Sequence, residues 1–587
     1  MKKLPILGAA LMALAMTACD NEPQVSAGSG ANNESVAGKY IGISIKNAET
    51  TGSRAIGSLG YAEGSENEYK IAEGQLHFLF FDMNGRPFAM TGTNINGNVE
   101  ATNWVKPYDV TSDLVNNKGD KSETDAVLIL GNATGSYEGQ IPARVICVAN
   151  VDDETIRTKY ADKSITQLLD HNTGSNDNAP LHETVWSENV EKKTKENFIM
   201  TSSTWWDGTN VICWSDITNN NLADKVEDAR KKPVEIYIER LAAKVSVNTL
   251  PACRFVKESE TDDLTIQINE LDEDGNVILS EAKKVLAVPT GWDINTVSSK
   301  TFGIKHLLQG DTESTYFKDA SDFNVGVRSF WASTSSVNAV QDFIPTDLNH
   351  QAGETIYTLG NTADPFLWGN GKSGVSNLRG KVNFARCYAT KVLVGVKFYL
   401  VDVDASETVP ADVEPSTFMY WGGMYYTPEA LCNVLSRGLA EGHGVAYARD
   451  NENSNHYMVK FYDINDKTLF NTNITEKLNN IAQPTNLSVP AAQCWTNGMG
   501  YYIVNISNDI TNTKATTNVT TTGNTMYGVI RNTAYTYDIQ NFFGLGTSVP
   551  NTNITTRVEN PEKSDTYVAA KLHILNWRVV NNQISLQ

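Results

Sequence analysis

Apolar and polar positions alternate with a period of two through most of the chain, and the pattern predicts strands. Lys39 to Lys46 reads Lys-Tyr-Ile-Gly-Ile-Ser-Ile-Lys, which puts Ile41, Ile43 and Ile45 on one side of an extended segment. Gln75 to Phe81 and Arg86 to Met90 flank Asp82-Met83-Asn84-Gly85, a hairpin around an Asn-Gly turn. Further β-rich runs are Ala126–Leu130, Ala143–Val148, Val234–Ile238, Thr265–Ile268 and Val392–Tyr399, each bounded by Asn, Asp, Gly or Thr clusters. Helical periodicity is weak and local, with short helices expected near Leu222 to Lys232 and Thr427 to Leu439. The fold expected from this is mainly β: two tandem antiparallel β-sandwich domains with a few short helices, over residues 55–240 and 241–587. Residues 505–526 read as the longest Asn/Thr-rich loop.

The first residues follow a different rule. Lys2 and Lys3 precede an apolar run from Leu4 to Met16, and Met16-Thr17-Ala18-Cys19 is a small-residue site ending in cysteine. This is a lipobox pattern, with residues 1–18 as signal peptide and Cys19 as the acylated residue; several acyl chains would anchor the protein without a spanning helix. An ordinary signal peptide cut at Ala18 is the plainer alternative. No later stretch approaches the roughly 18 consecutive apolar residues of a membrane helix. Residues 20–38 are small and polar, suiting a flexible spacer. Beyond the Ile41 strand, Thr50 to Ser58 is a small, polar segment with Arg54-Ala55 in its middle, the kind of exposed loop that proteases cut. Residues 19–54 thus read as a lipidated propeptide with a removable first strand.

Composition narrows the function classes. The chain has 587 residues and a formal charge of -20, so its averaged field repels phosphate backbones, and nucleic acid is not expected as a partner. Seven cysteines, never closer than 40 residues apart, form no CxxC pair. Catalytic motifs fail on inspection. His182-Glu183 would need a second histidine where Trp186 stands, and Gly371-Lys372-Ser373 lacks the leading glycine of a phosphate loop, because that position is Phe366. Asp272 to Asn276 has some character of a calcium loop but lies between alternating runs, where a hairpin turn is the better reading. No enzyme activity, catalytic residue, metal or cofactor is expected.

At the C-terminus, Lys571 to Val580 reads as a strong strand, and the chain continues to Gln587 with Val580, Ile584 and Leu586 on one face. The plain reading docks it in its own sheet. The sharper one pairs the two ends of the protein: a cut at Arg54 would let the Ile41/Ile43/Ile45 strand leave, and an alternating strand from another copy could fill the vacated groove.

With these residues in view the chain resembles the type V pilins, the lipoprotein-precursor fimbrial subunits of Bacteroidales-type bacteria, and most of all the shaft-forming major subunit of the short fimbriae. The resemblance is carried by the Cys19 lipobox, the Ile41 strand with Ser53-Arg54-Ala55, Phe198 to Ser202, Glu239 to Val245, Tyr420 to Tyr426, Tyr501 to Val504, Tyr527 to Asn532, Gly544 to Thr547 and Leu575 to Val580. Asn505 and Thr533 depart from the pattern, where Pro and His would be expected. The resemblance implies transthyretin-like sandwiches and an assembly cycle. A precursor is tethered to the outer membrane by lipid, an Arg-specific protease cuts between Arg54 and Ala55, and residues 579–587 enter the next subunit of an extracellular fimbrium that supports adhesion and biofilm formation. Its implied partners are other copies of itself, accessory anchor and tip subunits, and the protease. Residues 1–54 hold five basic and four acidic side chains, a net +1, so residues 55–587 carry -21. The alternatives are an anchor, tip or adhesin subunit of the same fold binding a glycan or host protein, and a surface nutrient-binding lipoprotein or secreted hydrolase.

Overall fold

The structure is a computed structural model of the chain. It describes residues 39–47, 71–91, 101–107, 109–111, 123–170, 179–189, 194–206, 210–305, 342–360, 390–409, 411, 413–436, 443–449, 456–463, 492–509, 525–549, 556–557, 567–576 and 580–585. These fall in one compact unit spanning 36–587.

Strands from the first part of the chain build one ten-stranded sheet. Its path runs Trp104–Val105, Leu76–Phe81, Arg144–Ala149, Met200–Ser202, Val234–Arg240, Tyr40–Asn47, Glu123–Ile129 and Asp109–Thr111, with Ser215–Asp216 and Leu222–Ala223 pairing off it. We label Tyr40–Asn47 β1, Leu76–Phe81 β2, Glu123–Ile129 β3, Arg144–Ala149 β4 and Val234–Arg240 β5. Alternation decides which side chain faces which core. Ile41, Ile43, Ile45, Phe78, Phe80, Leu128, Val145, Ile236 and Ile238 share one core. Leu79, Phe81, Ile146 and Val148 face the other way, under Ile156, Tyr160, Ile165 and Leu168. Both faces of β2 are therefore covered, which is why Leu-His-Phe-Leu-Phe-Phe is buried throughout and reads as a continuous run.

The later part of the chain holds two stacked sheets. A five-stranded sheet runs Thr355–Leu359, β6 (Ala242–Thr249), β7 (Thr533–Phe543), β8 (Tyr567–Asn576) and β9 (Val580–Ser585). A six-stranded sheet is centred on Lys283–Asn295, Lys391–Asp402 and Met499–Asn505. Val245, Val247, Tyr535 and Tyr537 of the first meet Val285, Val392, Val394, Val396 and Tyr502 of the second in one apolar core. A seven-stranded sheet, from Val277–Leu279 at one edge to His443–Arg449 at the other, carries the helix Pro428–Ser436, whose Ala430 and Leu431 pack on Met419 and Cys494.

Most predicted strands are present with slightly different ends, the second arm of the first hairpin being reduced to a bridge at Pro87 and the short strand Met90–Thr91, and the helices form at Val226–Ala229 (α1) and Pro428–Ser436 (α2). Both turns form. Gly85 N donates to Asp82 O with φ +74°, and Gly275 N donates to Asp272 O with φ +79°, so Asp272 to Asn276 is a hairpin turn closed by backbone bonds. Pairing is antiparallel except between β1 and β5, β6 and β7, and Ile268–Leu271 and Met424–Tyr426, which are parallel among the described strands. Two segments differ from their sequence reading, and the first is Thr265–Ile268, which breaks at Gln267 so that Thr265–Ile266 pairs with Lys283–Asn295 of the six-stranded sheet while Ile268–Leu271 joins the seven-stranded sheet. The second, the run from Lys571 to Val580, falls in two strands, one ending at Asn576 and the next beginning at Val580, and β9 pairs antiparallel with β8. Among the described residues no helix is long and apolar enough to cross a membrane.

Candidate functional site

The residues that the sequence marks at the N-terminal end divide sharply. Cys19, Arg54 and Ala55 lie outside the described residues, as does Phe366 of the rejected phosphate loop. Ile41, Ile43 and Ile45 lie at the centre of the ten-stranded sheet, 0%, 1% and 2% exposed. β1 occupies a slot with a wall on each side. β3 runs antiparallel to it from Tyr40↔Ile129 to Lys46↔Glu123, and β5 runs parallel from Ile43↔Val234 to Asn47↔Ile238. Beyond the end of the β5 pairing, Tyr40 and Ile41 pair with Leu222–Ala223 instead. The three isoleucines fall opposite Leu128, Ala126, Val234 and Ile236, which share their core. A strand so placed is held by two ladders and by burial, and its departure would open the sheet at the middle.

The opposite face of β1 is shaped by one glycine. α1 crosses β1 at Gly42 so closely that a Cβ there would lie 2.7 Å from the Ala229 carbonyl carbon and nearer still to its oxygen. Only a residue without a side chain fits while α1 stays in place. Asp224, just before α1, accepts an ion pair from Lys39 at 3.5 Å; because Asp224 is largely exposed, this contributes little. The sequence reading passed over Gly42, since an isolated glycine inside a strand pattern does not say which element approaches it.

At the other end, Leu586 lies outside the described residues, while Val580 and Ile584 fall in β9, in register with Ile574 and Leu572 of β8. Among the described residues β9 borders its sheet with one neighbour, whereas β1 has partners on both sides. The structure thus does not bring β1 and β9 together: one fills the slot of the first sheet and the other borders the five-stranded sheet of the same chain.

A third feature has no signal in the sequence pattern. Glu239 and Arg240, two charges at the end of an otherwise alternating strand, are each 1% exposed. Glu239 Oε2 accepts from Lys305 Nζ at 3.1 Å and from Ser203 Oγ at 3.2 Å, and Arg531 Nη1 stands 3.7 Å from the same carboxylate. Arg531 also donates to Phe302 O, Thr301 Oγ1 and Gly303 O, at 2.6, 3.0 and 3.1 Å. Burial holds Lys305 down to about 8 against the opposing pull of Glu239. Close by, Tyr160 OH and His182 Nε2 share a hydrogen bond at 2.7 Å, and burial pushes the imidazole down to about 3 and the phenol up, so both partners are neutral. Nothing near Lys305 in the sequence signals this role. Of the two departures from the pilin pattern, Thr533 is buried with its Oγ1 on Arg531 O at 3.3 Å, and Asn505 ends a strand of the six-stranded sheet.

Residues 493–583 match the family model described as major fimbrial subunit protein type IV, fimbrillin, C-terminal. Over these residues the chain is similar to the fimbrillins. The matched segment includes β7, β8 and most of β9. Among solved structures the chain is similar to a fimbrilin (FimA) from Porphyromonas gingivalis W83, with 11% identity, 94% of this chain and 100% of that one covered, and a TM-score of 0.34. It is also similar to a fimbrial assembly protein from Parabacteroides distasonis (12%, 73% and 98%, 0.24) and to the tip fimbrial protein Mfa3 from Porphyromonas gingivalis (11%, 72% and 97%, 0.22). No curated protein matches it. The family match is confined to residues 493–583.

Proposed function

We propose that the chain is a shaft-forming fimbrial subunit, exported as a lipoprotein precursor acylated at Cys19, cut between Arg54 and Ala55, and polymerised by C-terminal strand exchange. The observation that carries this reading is the position of β1. The strand that ends at Asn47, before Arg54, is an inner strand of its sheet and is buried from Ile41 to Ile45. Cleavage would free a segment whose exit leaves an apolar slot between β3 and β5 with two unpaired backbone edges. Three buried isoleucines at about 2 kcal/mol each, plus the two ladders, set the stabilisation that an incoming strand could recover.

β9 suits the donor role because it is an edge strand, so releasing it breaks one ladder and leaves the sheet interior intact. A head-to-tail contact of this kind does not close and yields a filament. Like-charged subunits can still associate, because contacts at strand spacing outweigh charges screened within a Debye length of about 8 Å. We take residues 55–240 and 241–587 as the two sandwich domains of the mature subunit, meeting at Leu241. The test combines N-terminal sequencing of surface filaments with two variants. Arg54→Ala should accumulate full-length monomer. Deleting 579–587 should permit processing but leave no filaments, and long filaments from the deletion would reject β9 as donor.

A further inference from the structure

If subunits join as proposed above, tension enters each one through the strand in the β1 slot and leaves through the chain that follows β8. The route between these points is continuous. The slot wall β5 ends at Arg240 and, after Leu241 alone, becomes β6. β6 pairs parallel with β7 from Lys244↔Ala534 to Thr249↔Asp538, and β7 pairs with β8 from Thr533↔Asn576 to Phe543↔Tyr567. Entry and exit therefore lie at the same edge of the five-stranded sheet: β6 begins there at Ala242, and β8 ends there at Asn576, opposite Thr533. Load applied across one edge opens ladders pair by pair instead of sharing the force among all of them.

The buried charges sit at that edge. Arg240 Nη1 donates to Asn532 Oδ1 at 2.8 Å, and Asn532 N donates to Ala242 O at 2.6 Å, bridging the start of β6 to the start of β7. Leu241 is fixed on both sides, its N–H to Ile199 O and its carbonyl from Gly360 N, each at 3.0 Å. Gly360 leaves no room for a Cβ against the Arg531 backbone. Arg531 in turn ties the β7 entrance to Thr301–Gly303, and Thr201 of the first sheet donates to Gly303 O at 2.8 Å.

We propose that Glu239, Arg240, Lys305, Arg531 and Asn532 form a mechanical clasp, locking the edge at which tension along a filament would begin to unzip the subunit. This rests on the strand-exchange reading for its biological load, while the clasp itself is a property of the single chain. Charge-assisted hydrogen bonds in a dry site are strong and short-ranged, so they resist the first ångströms of opening and then release.

The test uses the full-length chain in magnetic tweezers, tethered through an introduced azide-bearing side chain at exposed position 235 on β5 and through the C-terminus. β9 peels first, and load then reaches Asn576. Asn532→Gly keeps the left-handed backbone (φ +58° in the native chain) and deletes only the bridging amide. Arg240→Met keeps the apolar stem. Each should raise the unfolding rate at fixed force by about tenfold or more. With the first tether moved to exposed Thr249, at the far end of β6, load is shared along the ladder, and the same variants should change the rate by less than about threefold. Equal effects on both axes, or none on the first, would overturn the clasp. Asn532→Gly carries the test if Arg240→Met does not fold. Failure of the native chain to form filaments would reject strand exchange without touching this result.

Discussion

Replacing Ile43 by alanine separates the precursor from the processed subunit. Ile43 is 1% exposed, stands between Ala126 and Val234, and belongs to the core of the ten-stranded sheet. Truncating a fully buried isoleucine costs about 2–5 kcal/mol, toward the upper part of that range where neighbours cannot collapse. Here the neighbours are strands held by ladders on both sides, so collapse is restricted and about 3–4 kcal/mol is expected. For a cooperative unit of some 200 residues, that is a fall of about 6–16 °C in the unfolding midpoint of the first sheet. The assay is calorimetry or urea unfolding of the full-length chain beside the same variant cut after Arg54 and freed of residues 1–54. The precursor should be destabilised by the full amount. The cut subunit should be indistinguishable from its native counterpart, because the altered residue has left with β1. A precursor unaffected by Ile43→Ala would refute the placement of β1, and an equal loss in both forms would refute its removal.

Three further perturbations follow from the same geometry. Gly42→Ala should cost the precursor about 1–3 kcal/mol through its clash with Ala229 and speed amide exchange in α1, both absent after cleavage. His182 is held neutral down to about 3 in the folded chain and titrates near 6.5 once unfolded, so the unfolded state binds the extra proton between these values. Stability from this group is complete above about pH 6.5 and falls by up to about 5 kcal/mol as pH drops to 3; His182→Phe should flatten that slope in urea midpoints measured at pH 7, 5 and 4. Cys19→Ala should leave precursor that takes up no labelled palmitate and few filaments on the surface; normal palmitate labelling of that variant would count against the lipoprotein route.

The strands were legible because their period is local. Ile41, Ile43 and Ile45, or Val392, Val394 and Val396, announce a buried face within a few residues, and the Asn84-Gly85 and Asp272–Asn276 turns carry their own chemistry. What was hidden depends on partners far along the chain. Lys305 meets Glu239 across 66 residues and Arg240 meets Asn532 across 292, separations at which no spacing rule operates. Gly42 is explained only by α1, and the parallel pairing of β1 with β5 depends on a crossover of nearly two hundred residues. The antiparallel pairing of β9 with β8 is not legible in the sequence, because Trp577-Arg578-Val579 continues the β-forming composition of the run.

The central claim is that the slot between β3 and β5 changes owner on assembly. Electron cryomicroscopy of native filaments at a resolution that shows side chains would decide it. Strand exchange predicts that density between Glu123–Ile129 and Val234–Arg240 traces residues 580–587 of a neighbouring subunit and that no density for Tyr40–Asn47 remains. Finding Ile41, Ile43 and Ile45 of the same chain still in the slot, with β9 paired to its own β8, would contradict it.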